Sequence, residues 1–510
     1  MSCGNPAAVG TDALMERRTK FDKSTSCIKC KTERGNLVIR HTVYCKNCFF
    51  PLVRTKFRRS IEPHVNESQQ VSKRIVIKAS GNLLVGFSGG LGSTVLLDLL
   101  SSTYFPSVNG TSLNGKGGKS HPRNKRVWTK AYACYVEVCG AFPELNDRSA
   151  EIRKYFEGNE DFEFVSARLE DAFDPAWWGK ASDRNTNPSL YTILASEDLP
   201  LFRETLSSDT LHDTPISLLR LYLSSLPTQT AVQATVSVLT RLILVYTARR
   251  LQCSHLALGT SLTSLSISLI TSIAQGGGFN LRDEYIEEWR DPSGTGGAND
   301  RRGEMSVKIV RPLQDVGMKE CAAWAYWKQL SIVGRGKLPG TTGKQTIGSL
   351  TKNFIVGLER DYPSTVSTIV RTCNKVVAKD EAQDCCVLCE RAMPSGVPAW
   401  KARISVRSQT DDSFVESQVD SDELRQHSGP QADSRHLSSR VCYACHTHLT
   451  SKSSRSSAAG NDPIYLPQWT NASLTLNLSP EPSGSGVGEI WSASTMSQET
   501  MKAVVNDFLL

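Results

Sequence analysis

Eight of the fifteen cysteines fall into four Cys-x-x-Cys pairs, two near each end of the 510-residue chain. Thiolates two residues apart can grip one ion, and two such pairs supply the four corners of a tetrahedral site. Cys27, Cys30, Cys45 and Cys48, with fourteen residues between the pairs, fit a zinc-ribbon-like site with no open coordination position. Its role is then structural. Cys386, Cys389, Cys442 and Cys445 suggest a second such site closed over a 52-residue polar loop. Closure entropy grows slowly with length, so the long loop is no objection. Neighbouring Cys385, His446 and His448 leave the second ligand set open. Met1 to Lys20 carry no apolar secretory segment, so thiols and metal ligands are expected rather than a disulfide framework.

The positive charge is concentrated. Residues 1–80 hold 16 Lys/Arg against 6 Asp/Glu, whereas the other 430 residues sum to about minus two. Such clustering attracts a polyphosphate through counterion release. Lys29, Lys31 and Lys46 sit within the first knuckles, and Arg54, Lys56, Arg58 and Arg59 follow them, forming a candidate RNA-binding set. The plainer alternative is a solvated basic arm. The most apolar stretch, Ile216 to Leu251, is broken by Arg220, Pro227 and Arg241, so buried helices are expected there and no membrane partner.

Ser88-Gly89-Gly90-Leu91-Gly92-Ser93 follows an apolar run and opens a helical one. A loop in that setting aims free backbone N–H groups at an anion, and the helix dipole favours negative charge at the same spot. Ser88, Gly89, Gly90, Gly92 and Ser93 are therefore candidate phosphate ligands, active or vestigial. A glycine-rich turn that binds nothing is the alternative. The Walker lysine is missing. The loop resembles instead the Ser-Gly-Gly-x-Asp-Ser loop of the ATP pyrophosphatases, which adenylate a substrate oxygen before nitrogen or sulfur attacks.

The elements that must position these groups alternate. Leu83–Phe87, Trp128–Val138, Phe162–Val165, His255–Leu258 and Val307–Val310 suit buried strands. Ser93–Leu100, Arg148–Phe156, Ala231–Leu251, Leu262–Ala274 and Met318–Leu330 have helical spacing. That alternation predicts an α/β domain with a parallel sheet covered on both faces. The expected division is a basic N-terminal four-cysteine zinc module over 1–78 and an α/β domain over 79–377 with inserts near 107–125 and 291–303. A C-terminal cysteine module over 378–450 with polar loop 405–439 follows, then a variable tail over 451–510.

The order of motifs resembles one family. The cysteine pairs, the glycine loop, Leu258-Gly259-Thr260-Ser261, Arg311-Pro312-Leu313 and Leu350-Thr351-Lys352-Asn353-Phe354-Ile355 look like the second subunits of the cytoplasmic tRNA 2-thiolation complex. Tyr362-Pro363-Ser364-Thr365-Val366 and Arg371-Thr372-Cys373 extend the likeness, which covers most of the chain except the inserts and tail. It implies a doubly wound, ATP-pyrophosphatase-like core with zinc-ribbon-like modules at both ends. It also implies a cytoplasmic role in making 5-methoxycarbonylmethyl-2-thiouridine at the wobble position of tRNA Lys, Glu and Gln. The implied partners are tRNA, a homologous catalytic thiolase subunit and a thiocarboxylated ubiquitin-related modifier as sulfur donor.

Three departures from the active thiolases mark this chain as a non-catalytic subunit. Gly92 stands where the loop has an acid, and Gly259-Thr260-Ser261-Leu262-Thr263-Ser264 replaces Gly-His-Asn-x-x-Asp-Asp. Leu226-Pro227-Thr228-Gln229-Thr230 replaces a Cys-x-x-Cys. Adenylation needs metal or cationic stabilisation of the leaving pyrophosphate, and sulfur transfer needs a thiolate or a cysteine-ligated cluster. No catalytic residue is assigned; zinc is the expected structural cofactor, and ATP or phosphate binding stays open. The rival readings are a self-sufficient ATP-dependent tRNA sulfurtransferase and a zinc-bearing interaction scaffold without RNA contact.

Overall fold

The computed structural model describes residues 26–65, 81–105, 127–182, 191–193, 201–202, 214–291, 306–334, 345–376, 384–394, 397, 437–450 and 463–470. The expected insert 107–125, and all but the edges of 291–303 and 405–439, lie outside these residues.

A hairpin of β1 (Leu37–Ile39) and β2 (Thr42–Tyr44) precedes α1 (Lys46–Val65). Then come β3 (Asn82–Gly86), α2 (Leu91–Tyr104), β4 (Ala131–Glu137), α3 (Ser149–Tyr155) and β5 (Glu163–Arg168). After α4 (Pro175–Ser182) lie the short strands β6 (Tyr191–Ile193) and β7 (Leu201–Phe202), then α5 (Pro215–Ser225) and α6 (Gln229–Arg250). The chain continues through β8 (Cys253–Leu258), α7 (Leu262–Ala274), β9 (Glu287–Arg290), β10 (Ser306–Val310) and α8 (Met318–Lys328). It closes with α9 (Ile347–Asp361), α10 (Pro363–Lys375), β11 (Asp384–Cys385), β12 (Ala392–Met393), the helix Tyr443–Thr450 and β13 (Pro463–Tyr465).

The central sheet has the order β5-β4-β3-β8-β10-β9. All its pairings are parallel except β9 on β10. A parallel strand covered on both faces must be apolar at consecutive positions, which accounts for Leu83-Leu84-Val85. Leu84 and Cys134 face a core shared with α4, α5 and α6, whereas Leu83, Val85 and Ala133 face α1, α2 and α8. α6 has the length and apolarity of a membrane span, but 61% of its most apolar stretch is buried inside the protein. It is a core helix, apolar on most sides because it is covered on most sides. A smaller third core joins α7, α9 and α10 through Leu265, Leu269, Ile355, Val366 and Val370.

The topology decides where a ligand could sit. From β3 the chain moves outward to β4 and β5, then returns to β8 beside β3 and moves the other way to β10. The carboxyl ends of β3 and β8 therefore flank the point where connections diverge, the usual crevice in open α/β sheets.

The closing cysteines share the main core. Cys386, Cys389, Cys442 and Cys445 cluster with the side chains of α5 and α6. Glu390, beside them, accepts hydrogen bonds from Tyr246 Oη at 2.5 Å and Trp289 Nε1 at 2.7 Å. Burial pushes its carboxyl up to about 7, a shift that these two bonds and the Arg241 charge offset only in part. Trp469, within the stretch expected as a variable tail, is fully buried, donates Nε1 to the Leu388 carbonyl at 3.1 Å and stacks on Tyr246. β13 pairs antiparallel with β6.

An ion network pins the same junction. Arg391 lies 2.6 Å from Glu284 and 3.5 Å from Glu287, and Glu287 also pairs with Arg241. All four side chains are at most 16% exposed, so each charge depends on its partners for solvation. Replacing Arg391 with Met removes one partner and strands buried carboxylate. The substitution is expected to lower unfolding free energy by ~3 kcal/mol, measured by urea denaturation of the full chain, whereas exposed Arg290→Met should change it by less than ~1 kcal/mol.

Candidate metal centres and the closed phosphate loop

The N-terminal thiols converge on one point. The Sγ atoms of Cys27, Cys30, Cys45 and Cys48 lie within 4.8 Å of one another, and Cys30 and Cys45 are 3.8 Å apart. A disulfide needs about 2.05 Å. A tetrahedron of thiolates about 2.3 Å from a zinc ion has edges of about 3.8 Å, so the spacing fits a bound metal. The local fold explains the convergence: Lys31 N donates to the Cys27 carbonyl and Phe49 N to the Cys45 carbonyl, closing a turn around each pair. Lys31, directly after the first pair, adopts φ 59°, which turns the backbone away once the second thiol is placed.

The C-terminal set repeats this design with the other two pairs. Cys386, Cys389, Cys442 and Cys445 lie within the same 4.8 Å limit, and Cys389 and Cys442 are 3.8 Å apart. Glu390 N donates to the Cys386 carbonyl, and Glu390 adopts φ 53°, the counterpart of Lys31. His446 is bonded to Thr450 at 3.1 Å and His448 to Gln275 at 3.0 Å, so the converging set is four thiols. Here all four are buried, whereas Cys30 and Cys48 of the first set are half-buried.

Glu137, Cys139 and Asp147 also come within ligand reach of one another. Their carboxylates are already engaged. Glu137 accepts from the Val138, Cys139 and Arg148 amides and from Tyr135 Oη, while Asp147 pairs with Arg168 at 2.5 Å and accepts from the Ser149 amide. This is a loop-bracing network.

The glycine loop lies at the sheet crevice, but the crevice is shut. A Cβ on Gly92 would lie 2.1 Å from the Gly259 carbonyl oxygen, and one on Gly259 would lie 2.5 Å from Ser93 N. The two loops that should flank a ligand thus touch each other through backbone. Gly89, at φ +72°, is covered from the other side: Gly334 N donates to its carbonyl at 2.8 Å, and a Cβ would meet Gly334 O at 2.7 Å. Arg148 fastens that cover by donating to the carbonyls of Val333 and Gly334, each at 3.1 Å. Ser93 is buried; its hydroxyl donates to the Gly90 carbonyl at 2.9 Å and accepts from the Ser88 amide at 3.3 Å.

The residues replacing the second motif are structural as well. Ser261, fully buried, caps α7 by accepting from the Ser264 amide at 3.2 Å. Thr263 donates to Glu359 of α9 and accepts from the Met318 amide. The thiols inside the α/β core offer no nucleophile. Burial pushes Cys134, Cys253 and Cys321 each up to about 12, leaving them protonated at neutral pH.

Of the basic residues, Lys29, Lys31, Lys46, Arg54, Arg58 and Arg59 are exposed. Arg54 and Arg58 are one turn apart on α1, exposed along the edge of the buried stripe Phe49-Val53-Phe57-Ile61. Lys56 is engaged otherwise, 2.5 Å from buried Glu320, and so bonds α1 to α8 instead of facing solvent. Nothing in the sequence singles out Arg148, Gly334, Glu320 or Glu359; their only signal is three-dimensional proximity across long chain separations.

The model of the family Cytoplasmic tRNA 2-thiolation protein 2 matches residues 346–447. A relative of that name from Danio rerio is 25% identical over 392 residues, covering 72% of this chain and 70% of its own. Another from Scheffersomyces stipitis is 23% identical over 449 residues, covering 83% and 89%. The chain is similar to this family over most of its length. A solved U34-tRNA thiolase, NcsA from Methanococcus maripaludis, aligns with 70% of this chain and 90% of its own at 16% identity and a TM-score of 0.42.

Elemental analysis of the purified chain is expected to give two metal ions, falling to one in Cys27→Ser and in Cys442→Ser. The second substitution should lower the melting temperature of the whole chain more, because its site lies in the main core. Gly92→Ala, which forces a side chain against backbone, is expected to cost about 1–3 kcal/mol of stability in chemical denaturation.

Proposed function

We propose that this chain is the non-catalytic, tRNA-binding subunit of the cytoplasmic complex that 2-thiolates the wobble uridine. Its similarity to the proteins named Cytoplasmic tRNA 2-thiolation protein 2 supports a role as a subunit of cytoplasmic tRNA 2-thiolation. The finer reading is that a homologous thiolase does the chemistry on tRNA Lys, Glu and Gln. Its sulfur comes from a thiocarboxylated ubiquitin-related modifier, and the present chain stabilises it and holds tRNA. An ATP-pyrophosphatase-type core that has lost its nucleotide site accounts for the parallel sheet with a glycine loop at the crevice.

The observation that carries the non-catalytic reading is the contact between Gly92 and Gly259. Adenylation develops negative charge on a departing pyrophosphate, which a carboxylate-held metal would stabilise, and the acid of the resembled loop would stand at Gly92, where those two backbones meet. No side chain fits there, let alone an acid. Zinc is the ion assigned to both thiolate sets, where it cross-links the chain; Cys27, Cys30, Cys45 and Cys48 hold one and Cys386, Cys389, Cys442 and Cys445 the other. The exposed cations of the first module and of α1 supply the phosphate contacts.

Reconstitution tests both halves. The chain alone is expected to release no pyrophosphate from ATP and to leave tRNA unthiolated, while adding the catalytic homologue restores the product; product from the chain alone defeats the proposal. Replacing Arg54, Arg58 and Arg59 with Ala should weaken tRNA binding and flatten its dependence on log salt by roughly one unit for each phosphate no longer neutralised. Unchanged binding leaves the scaffold reading in its place.

A further inference from the structure

An open cavity of about 880 Å³ lies between the start of α1, the C-terminal half of α8 and the segment that covers the glycine loop. Leu91, within that loop, forms its floor; Tyr326, Trp327 and Ile332 form walls; Lys46 and Gln329 supply its polar groups. The two aromatic walls differ. Trp327 is anchored edge-on against Phe49 at 5.0 Å and Phe50 at 6.1 Å. Tyr326 is 79% exposed, and among the described residues its ring packs against no other ring. A large, rigid aromatic side chain held out beside an apolar groove has a free face.

Charge selects the occupant. Among the described residues no carboxylate lines the groove, and Lys46 lies at its edge. Lys328 stands next to it with Nζ 5.8 Å above the Phe50 ring, and Arg54 stands 6.0 Å above Trp324 on the same α1–α8 junction. Lys29 and Lys31 flank the same four-cysteine cluster as Lys46. An apolar slot with one free aromatic face, one carboxamide and a cationic border matches an unstacked nucleotide. The base needs a π-face and an edge partner, and its phosphates need cations. An apolar side chain of a protein partner would use the walls but leave the cationic border without a counterpart.

We propose that this groove receives one unpaired base of the bound RNA, stacked on Tyr326, with Gln329 at the base edge and Lys46 and Lys328 at the flanking phosphates. This rests on the tRNA-binding reading and deepens it. The base is held outside the stack at a place that performs no chemistry, so the groove positions the RNA rather than reacting with it.

The test uses the full chain and an anticodon stem-loop carrying 2-aminopurine at each loop position in turn. Wild type and Tyr326→Phe are expected to quench the probe at one position on binding. Tyr326→Ala should abolish that quenching and weaken affinity roughly tenfold without changing the salt slope, since stacking carries no charge. Arg54→Ala with Arg58→Ala should do the opposite: flatten the slope and leave quenching at saturating protein intact. Tyr326 is exposed, so its variants are expected to keep the wild-type melting temperature. If Tyr326→Ala binds and quenches like wild type while the arginine variant still weakens binding, the groove proposal falls and tRNA binding stands. If neither substitution changes binding, both fall. If Tyr326→Ala spares RNA affinity but loses the catalytic homologue in co-purification, the groove holds a protein side chain and the proposal is overturned.

Discussion

Two glycines set the character of the central domain. Gly92 lies in the first turn of α2 and Gly259 follows β8, and their backbones approach so closely that neither tolerates a Cβ. In an open α/β sheet the carboxyl ends of adjacent diverging strands normally leave a crevice wide enough for a ligand. Closing it joins two loops that would otherwise move apart, and the residues around them serve the joint. Ser261 caps a helix, Thr263 ties α7 to α9 through Glu359, and Arg148 clamps residues 333 and 334 over Gly89. Polar groups that could have faced substrate satisfy one another instead, as buried polar groups must.

With that crevice closed, the chain's surface chemistry lies to one side of it. α1 runs from the first thiolate set, packs Phe49, Val53, Phe57 and Ile61 into the core and leaves Arg54 and Arg58 outside. Its bond from Lys56 to Glu320 fixes α8 beside it, and the α1–α8 junction is where aromatic walls and cations meet. The N-terminal four-cysteine cluster therefore acts at a distance: by holding the start of α1 it orients a basic face some turns further on. The C-terminal site acts differently, within a core shared with α6 and braced by Arg391, Glu284 and Glu287.

Local signals made much of this legible in the sequence. Strands buried on both faces read as apolar runs, so β3, β8 and β10 fell within a residue or two of expectation, and α7 spans Leu262–Ala274 as its spacing indicated. The grouping of the eight paired cysteines into two clusters followed from their spacing. What was hidden depends on partners far along the chain. α1 extends twenty residues through Pro51 and Pro63, which argue against a helix until its buried stripe finds the sheet. β9 reads Glu-Glu-Trp-Arg, an unpromising strand whose alternate residues are buried against α6 and Arg241. Lys56 looked like its basic neighbours until Glu320 was placed opposite. The closed crevice itself could be suspected from Gly92 but not seen, because a missing carboxylate says nothing about what occupies its room.

Glu390 and Lys31, each directly after the second thiol of its pair, share a left-handed backbone turn, yet the paired ligands they introduce return after very different lengths of chain. Fourteen residues separate the pairs in the first set and fifty-two in the second. In the second set both ends are fastened to the same core, by Leu388 to Trp469 on one side and by the helix Tyr443–Thr450 on the other. What closes the second set is therefore packing at its two ends, around Leu388 and around the helix Tyr443–Thr450, so two stretches of chain far apart in sequence are seated against one core.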